Sequence, residues 1–279
     1  MGGSNPSRHN FIPLKSIIIC GLMTRLIVCA SGKGGVGKTS LVSNLATALS
    51  DLGQDVVAVD ANLTTPNLGL HLGMPLASNT LHDVLKGETR IRDATYPHPL
   101  GFNIIPASMN VNDLKNVDVG RLPEVTLNLI GKPDYVILDC AAGLGREAIS
   151  AVEAANEVLI ITNPDLPSVA DALKMAKIAE SQGKQVLGTV VNRVKGKWHE
   201  LTRKEIEEMV GATVLVEIPE DRNVSMSIAA KTPVVNYDPN SPASIEIRKL
   251  AHMFVGLPFN VKKPRSFRLL ERLIGWLTR

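Results

Sequence analysis

Cysteine is scarce in this 279-residue sequence, and its spacing does not match a metal site. The three cysteines, Cys20, Cys29 and Cys140, are odd in number and include no CxxC pair. That argues against a disulfide framework and against a zinc ribbon. Cys29 and Cys140 each lie in or just after an apolar run, which indicates buried structural thiols and fits a reducing cytosol.

Long apolar runs are also missing. No segment reaches the roughly 20 apolar residues that a membrane-spanning helix needs, and the apolar stretch at residues 16–23 is too short. No small-residue cleavage site precedes the first predicted strand. Residues 1–22 could be a cleaved signal, a disordered extension or an unused upstream start. We favour a dispensable extension that is disordered or not translated.

A broad excess of basic charge is absent from most of the chain. The net charge is +3, but residues 262–279 contain six basic residues and one acid, so the other 261 residues carry −2. A surface that binds nucleic acid over its whole body would be basic throughout. We therefore expect no specific nucleic-acid partner.

Short apolar runs alternate with longer helical patterns along residues 23–256. The candidate strands are residues 25–30, 55–60, 103–107, 135–139, 157–162, 185–192 and 213–218. The candidate helices are residues 39–52, 111–130 (interrupted at Pro123), 146–156, 168–182, 200–210 and 244–254. Continuously apolar strands alternating with helices predict an α/β domain whose mainly parallel sheet of seven to eight strands has helices on both faces.

A phosphate-binding motif follows the first predicted strand. Residues 32–40 read GKGGVGKTS and match G-x-x-x-x-G-K-[ST] between a strand and a helix. The glycines let backbone N–H groups surround phosphate oxygens, and the helix directs its positive end at the same anion. Lys38 would reach the β- and γ-phosphates, and Thr39 would coordinate Mg²⁺. The predicted nucleotide-binding residues here are Gly34, Gly35, Val36, Gly37, Lys38, Thr39 and Ser40.

Lys33 is a second lysine that an ordinary phosphate loop does not need. A cation at this position can be a solvated loop residue, or it can reach outward to a nucleotide held by a facing copy. The segment SGKGGVGKTS resembles the deviant P-loop of the MinD/ParA group of SIMIBI-class ATPases; within this group the MinD-like proteins end in a short basic amphipathic helix, which the end of this sequence also resembles. The resemblance implies a P-loop NTPase that binds ATP and Mg²⁺ and forms an ATP-dependent homodimer, in which Lys33 contacts the partner's phosphates.

Two residues after the second predicted strand suggest the first switch region. Asp60 ends that strand at the edge where an open α/β sheet binds ligands, so it could hold a metal-bound water. The resembling family usually has D-x-D here, whereas this chain has Asn62 at the second position. An amide can position a water but is a poor general base. We predict slow hydrolysis, with Lys33, Lys38 and Asn62 as the catalytic residues, and leave open a non-hydrolysing, nucleotide-dependent scaffold.

The strand at residues 135–139 ends in Asp139 and continues as Cys140-Ala-Ala-Gly143. This resembles the family's D-x-x-A-G switch II. The resemblance implies that Asp139 reaches Mg²⁺ through water and that Gly143 offers a backbone N–H near the γ-phosphate. The alternative is an aspartate that only caps the following helix.

Two further segments predict recognition of adenine. Asn192 and Arg193 end the sixth predicted strand, and Pro219 and Glu220 lie in a segment that reads IPED. In the resembling family such an asparagine reads the adenine edge, and the IPED backbone lines the adenine pocket; Arg193 could stack on the base. The guanine-reading N-K-x-D pattern is absent from the sequence.

A Pro- and Lys-containing linker, residues 257–264, leads to a predicted amphipathic helix at residues 265–279. At 100° per residue its arginines gather at one edge of a bulky apolar face, which is typical of a helix lying in a membrane interface with anionic lipid. The alternative is a last helix packed on the domain. The predicted membrane-facing residues are Phe267, Leu270, Leu273, Ile274, Trp276 and Leu277.

Together these features predict a MinD-like ATPase that is cytoplasmic and peripheral on the inner face of the cell membrane. We expect ATP-driven pairing to control membrane residence, and a role in positioning the division site or other surface machinery, with an unidentified activator or cargo protein. A ParA-type DNA-partitioning ATPase is a rival that the charge of −2 outside the tail argues against. The iron–sulfur carriers of the group have paired cysteines, which this chain lacks.

Overall fold

Eight strands form one sheet at the centre of the chain, as seen in a computed structural model that describes residues 24–74 and 76–259. The strands are β1 (Arg25–Ala30), β2 (Val56–Ala61), β3 (Tyr96–Pro97), β4 (Asn103–Ile105), β5 (Tyr135–Cys140), β6 (Glu157–Thr162), β7 (Gln185–Val194) and β8 (Val214–Pro219). They are ordered β3-β4-β2-β5-β1-β6-β7-β8. All neighbouring strands are parallel except β3 and β4, so the predicted fold class is confirmed.

Helices cover both faces of this sheet. They are α1 (Lys38–Asp51), α2 (Leu68–His71), α3 (Leu81–Lys86), α4 (Leu122–Leu127), α5 (Arg146–Ala154), α6 (Leu166–Ser181), α7 (Arg203–Val210), α8 (Arg222–Ala229), α9 (Val234–Tyr237) and α10 (Pro242–Val255). Buried side chains of α3 to α7 form the core on one face. Those of α1, α2, α9 and α10 form the core on the other.

Strand β1 shows why the central strands are apolar throughout. Leu26, Val28 and Ala30 pack into one core, while Ile27 and Cys29 pack into the other. Successive side chains of a strand point to opposite faces, so a strand covered on both sides needs apolar residues at every position. The cores thereby hold β1 between β5 and β6 and fix the place of the phosphate loop that follows it.

The predicted helix at residues 111–130 was wrong. Two short 3₁₀ turns, Val111–Leu114 and Val119–Arg121, precede the six-residue α4. The side chains of Asn110 and Asp118 accept backbone N–H bonds at the start of each turn. Such capping competes with a continuous helix, and Asn116 adopts a left-handed conformation between the turns (φ 64°).

Several other bounds differ from the predictions. Strand β4 ends at Ile105, two residues early, and α7 begins at Arg203. The antiparallel edge strand β3 was not predicted, because two residues are too few to form an apolar run. Helices α2, α3, α8 and α9 were also missed, since each is eight residues or shorter.

The predicted extension at residues 1–22 and the predicted helix at residues 265–279 lie outside the described residues. Both therefore stay predictions, as do the linker and the domain bounds. No helix among the described residues is long and apolar enough to cross a membrane.

Candidate functional site

The phosphate loop joins β1 to α1 at the carboxyl edge of the sheet. Its shape depends on Gly37, which precedes α1 in a left-handed conformation (φ 99°). A Cβ atom at Gly37 would collide with the Asn192 side-chain amide. One loop position is therefore closed to any larger residue both by its backbone conformation and by a neighbour from β7.

Lys38 is held inside the loop. Its side chain is buried, and its Nζ donates a 2.8 Å hydrogen bond to the Ser31 hydroxyl. That hydroxyl in turn donates a 2.8 Å bond to the Lys33 carbonyl oxygen. Burial lowers the pKa of Lys38, while nearby Asp139 opposes this shift. A desolvated ammonium group interacts more strongly with an anion than a solvated one does, so Lys38 is suited to bind phosphate.

Lys33 points away from the same loop. Its Nζ lies 3.9 Å from the Asp165 carboxylate, and half of its side chain is exposed. Asp165 also caps α6 by accepting bonds from the Ser168 backbone N–H and hydroxyl. Exposed ion pairs of this kind contribute about 0–1 kcal/mol, so Lys33 can exchange this carboxylate for another anion at little cost.

Asp139 is a fully buried carboxylate near the end of β5. Neither carboxylate oxygen has a hydrogen-bond partner within the described part of the chain. Burial raises the pKa of Asp139 to about 6, and nearby Thr39 and Lys38 oppose the shift. A cation held close to this carboxylate would supply the missing charge.

The residues around Asp139 fit Mg²⁺. The Thr39 hydroxyl and the Asp139 carboxylate are oxygen donors, which Mg²⁺ prefers, and Mg²⁺ usually keeps several waters. No group of three His, Cys, Asp or Glu side chains is placed to hold an ion within residues 24–74 and 76–259. The site therefore suits an ion shared with a phosphate and not one enclosed by a protein cage.

Asp60 lies next to Asp139 across the β2–β5 pairing but has a different environment. Its carboxylate accepts hydrogen bonds from the backbone N–H groups of Asn62 (3.3 Å), Asn67 (3.1 Å) and Leu68 (3.0 Å). Burial raises its pKa well above the usual value, and Asp139 adds to the shift. Asp60 thus shapes the loop between β2 and α2; its predicted metal role stays a prediction.

Asn62 is tied to its own loop. The Asn62 Nδ2 donates a 2.6 Å bond to the Thr65 carbonyl, and its Oδ1 accepts a 3.1 Å bond from the Thr65 hydroxyl. The residue also lines the cavity beside the phosphate loop. The amide is therefore positioned at the site, with both of its ends used to hold the loop in this structure.

Two groups that were predicted to contact the nucleotide form hydrogen bonds within the protein. The Asn192 Nδ2 donates one of its two N–H groups to the Val36 carbonyl at 2.7 Å, which leaves the second N–H and the carbonyl oxygen for another partner. The Gly143 N–H donates a 3.1 Å bond to the Ser31 carbonyl. Both bonds hold the phosphate loop or the residue directly before it, so Asn192 and Gly143 stabilise the loop in this structure.

A cavity of about 510 Å³ extends from the phosphate loop to β8 and α8. The predicted residues that line it are Gly34, Gly35, Gly37, Lys38, Thr39, Ser40, Asn62, Asn192, Arg193, Pro219 and Glu220. Those that do not line it are Lys33, Val36, Asp60, Asp139 and Gly143. The structure thus brings the phosphate loop and the segments predicted to bind adenine into one cavity, while Asp60 and Asp139 lie side by side on neighbouring strands.

Several lining residues were missed from the sequence. They are Leu41, Thr65, Asn67, His71, Ala142, Val224, Ser225, Ile228 and Ile247. Asp221, the last residue of the IPED segment, caps α8 by accepting from the Asn223 backbone N–H, and such a cap signals that a helix follows. Residues from α2 and α10 carried no such signal, since only folding brings them here.

The raised pKa of Asp139 predicts a change in stability. Folded Asp139 keeps its proton up to pH about 6, whereas an unfolded aspartate loses it near 3.9. The folded state therefore binds more protons between these values, and stability falls as pH rises through them. We expect Asp139→Asn to raise the melting temperature of the nucleotide-free protein at pH 7.5 by several degrees, from about 2–3 kcal/mol.

The gain should shrink when the melting curves are recorded at pH 4.5, where folded Asp139 is already protonated. Glu124→Gln, an exposed carboxylate on α4, is the matched control and should change neither curve. If the melting temperature of Asp139→Asn does not differ from that of the wild type at pH 7.5, the buried carboxylate does not lower the stability of the folded protein.

Known proteins share this sequence and fold. The profile of the CobQ/CobB/MinD/ParA nucleotide binding domain matches residues 27–234. An uncharacterised ATP-binding protein of Methanocaldococcus jannaschii is 39% identical over 237 residues, which cover 85% of this chain and 90% of that protein.

Two solved structures agree. The cell division ATPase MinD of Pyrococcus furiosus superposes with a TM-score of 0.82 at 35% identity, covering 85% of this chain and all of that one. The septum site-determining protein MinD of Pyrococcus horikoshii, complexed with Mg-ADP, superposes with a TM-score of 0.81 at 35% identity. The match covers 83% of this chain and 96% of that one. As the phosphate loop predicted, the chain belongs to the CobQ/CobB/MinD/ParA nucleotide-binding family of P-loop proteins and is similar to its MinD ATPases.

Proposed function

We propose that this chain is an ATP-driven switch. ATP with Mg²⁺ pairs two copies across their phosphate-loop faces, pairing strengthens membrane binding, and slow hydrolysis separates the copies again. The observation that carries this proposal is that the two lysines of the phosphate loop have different environments. Lys38 is buried in the loop, whereas Lys33 lies outside its own cavity and is half exposed.

The nucleotide in this proposal is ATP with Mg²⁺. The cavity joins a phosphate loop to an apolar wall that includes Ile218 and Val224, which suits a purine nucleotide. Similar proteins point the same way, since one is named an ATP-binding protein and another was solved with Mg-ADP. Bound Mg²⁺ would neutralise phosphate charge at the side where Thr39 and the unpaired Asp139 carboxylate lie.

The protein's part in hydrolysis is positioning. Lys38 and the loop N–H groups hold the phosphates, and Asn62 orients the attacking water without acting as a strong base. Because the transition state for phosphoryl transfer is loose, such positioning can support turnover. A slow rate is the expected result of having an amide at this position.

The membrane contact is assigned to residues 265–279. Their apolar face and arginine edge suit an interface rich in anionic lipid. A single short helix binds weakly, so two copies in a dimer would bind much more tightly than one. Nucleotide state would thereby set the time that the protein spends on the inner face of the membrane.

The cellular role proposed is spatial positioning. The Pyrococcus proteins are named for cell division and septum placement, and a switch that moves between membrane and cytosol suits such a task. The division site or another surface system would be the cargo, with a separate activator protein that stimulates hydrolysis.

A non-hydrolysing scaffold is the second candidate, and Asn62 is the observation that favours it. Steady-state release of phosphate, measured with and without lipid, separates the two functions. Release that does not exceed that of Lys38→Ala, which lacks the phosphate-binding ammonium, would favour the scaffold.

Vesicle sedimentation tests the proposed membrane switch. Full-length protein should pellet with vesicles of anionic phospholipid in a non-hydrolysable ATP analogue and stay largely in the supernatant with ADP. Leu273→Glu with Ile274→Glu places charge on the apolar face of the predicted helix and should abolish pelleting. Leu127→Glu, at an exposed site on α4, is the control. Equal pelleting with both nucleotides, or by the tail variant, would contradict the proposal.

A further inference from the structure

One exposed aromatic side chain has no role in the site described above. Trp198 is 95% exposed and lies in the connection between β7 and α7. Exposing a whole indole to water is unfavourable, and tryptophan is enriched where one side of a ring meets an apolar phase and the other meets water. We call residues 193–199 the tryptophan loop.

The loop is held in a fixed shape. The Glu200 carboxylate accepts hydrogen bonds from the backbone N–H groups of Lys195, Gly196 and Lys197, at 2.8 to 3.3 Å. The next residue, Leu201, donates its N–H to the Pro164 carbonyl at 2.9 Å. These bonds use the loop's backbone and leave the side chains free. Trp198 therefore projects from a turn whose backbone is held in place by hydrogen bonds.

The same loop concentrates unpaired positive charge. Lys195 and Lys197 are exposed, and neither forms an ion pair with any residue that the structure describes. Arg193, at the start of the loop, lines the cavity beside the phosphate loop and is not counted with them. The neighbouring helix α7 differs, because its Arg203 and Lys204 pair with glutamates. An exposed indole surrounded by free cations complements a surface that is apolar below and anionic above.

We propose that the tryptophan loop is a second lipid contact of this protein. Trp198 would enter the boundary between headgroups and acyl chains of an anionic bilayer, and Lys195 and Lys197 would lie against lipid phosphates. The inference rests on the proposed function, to which it adds a contact on the folded domain. The loop begins directly after Asn192, which holds the phosphate loop, so this contact is connected to the nucleotide site.

A bilayer suits the loop better than a nucleic acid does. Proteins that bind DNA through its phosphates commonly use six or more cations, whereas the loop offers two outside the cavity and the chain outside the tail carries −2. An acidic protein surface could also take the lysines and the indole, so it is made an outcome of the test below. Lipid satisfies both features with one partner.

The two tryptophans of the sequence, Trp198 and Trp276, allow each contact to be observed alone. In full-length Trp276→Phe protein with a non-hydrolysable ATP analogue, Trp198 is the only indole, and the apolar face of the tail is kept. On addition of vesicles containing anionic phospholipid, its emission should shift to shorter wavelength and become protected from iodide quenching. Trp198→Phe protein reports on the tail in the same way.

The charge of the loop is tested by Lys195→Glu with Lys197→Glu. At about 1 kcal/mol for each basic residue near an anionic surface, this variant should bind vesicles at least roughly tenfold more weakly. Lys115→Glu with Lys132→Glu, two exposed lysines far along the chain, is the matched control and should bind within about twofold of the wild type.

The outcomes distinguish this inference from the proposed function. A shift at Trp276 without a shift at Trp198 overturns the loop contact and leaves the tail in place. No shift at either tryptophan contradicts the membrane function itself. A Trp198 signal that responds to double-stranded DNA or to a polyglutamate peptide, and not to vesicles, would overturn the assignment to lipid.

Discussion

Replacing Lys33 with alanine is expected to abolish ATP-dependent pairing while nucleotide affinity changes by no more than a few-fold. In the single chain Lys33 does not line the cavity beside the phosphate loop, and its ammonium group lies 3.9 Å from the Asp165 carboxylate. Across a dimer it would instead meet the partner's phosphates twice, once from each copy. Charge-assisted hydrogen bonds contribute about 1.5–3 kcal/mol each, so the dimer should weaken by roughly a hundredfold or more.

Two variants make this prediction specific. Lys38→Ala removes the buried ammonium group that is proposed to bind phosphate, so it should lose nucleotide binding as well as pairing. Asp165→Asn removes the charge opposite Lys33 but keeps a residue that can cap α6, so pairing should be equal or stronger. Parallel loss of nucleotide binding and pairing in Lys33→Ala would show that Lys33 serves its own subunit.

Replacing Asn62 with aspartate is expected to raise ATP turnover by roughly ten- to a hundredfold. A carboxylate can accept a proton from the attacking water, which an amide cannot, and such catalysis contributes about 10²- to 10⁴-fold. We expect a gain below this usual range because an aspartate cannot donate the 2.6 Å hydrogen bond that Asn62 makes to the Thr65 carbonyl. That loss should loosen the loop that positions the residue.

Phosphate release at saturating ATP measures this effect, with nucleotide affinity recorded alongside. Asn62→Ala is the matched control, since it removes the same bonds to Thr65 without adding a base. It should be slower than the wild type. Turnover by Asn62→Asp that equals the wild-type rate would mean that Asn62 does not face the attacking water.

The sequence predicted the phosphate loop because its chemistry is local. Glycines, Lys38 and Thr39 all lie within a few residues, and β1 directly before them is apolar at every buried position. The parallel sheet was predictable for a similar reason, since strands buried on both faces must be apolar throughout. Features of this kind depend on neighbours along the chain.

The rest of the site depends on contacts between distant segments. The bond from Asn192 to Val36 joins residues that are 156 positions apart, and no local pattern signals it. His71 and Ile247 enter the cavity from α2 and α10, which face it only after folding. Trp198 likewise draws attention only when its exposure is known.

Polar residues at turns explain the one large error in the fold. The apolar spacing of residues 111–130 suits a helix, but Asn110 and Asp118 cap short turns instead. Side chains that bond to the nearby backbone offer it an alternative to the hydrogen bonds of a helix. The spacing of apolar residues does not reveal this competition, so it cannot by itself predict where a helix is replaced by turns.

The mass of the protein in solution with each nucleotide tests the central claim most directly. Light scattering after size exclusion should give a monomer of 30.0 kDa with ADP and twice that mass with a non-hydrolysable ATP analogue and Mg²⁺. Lys33→Ala should remain a monomer with both nucleotides. A wild-type mass that is the same with ADP and with the ATP analogue would contradict an ATP-driven switch.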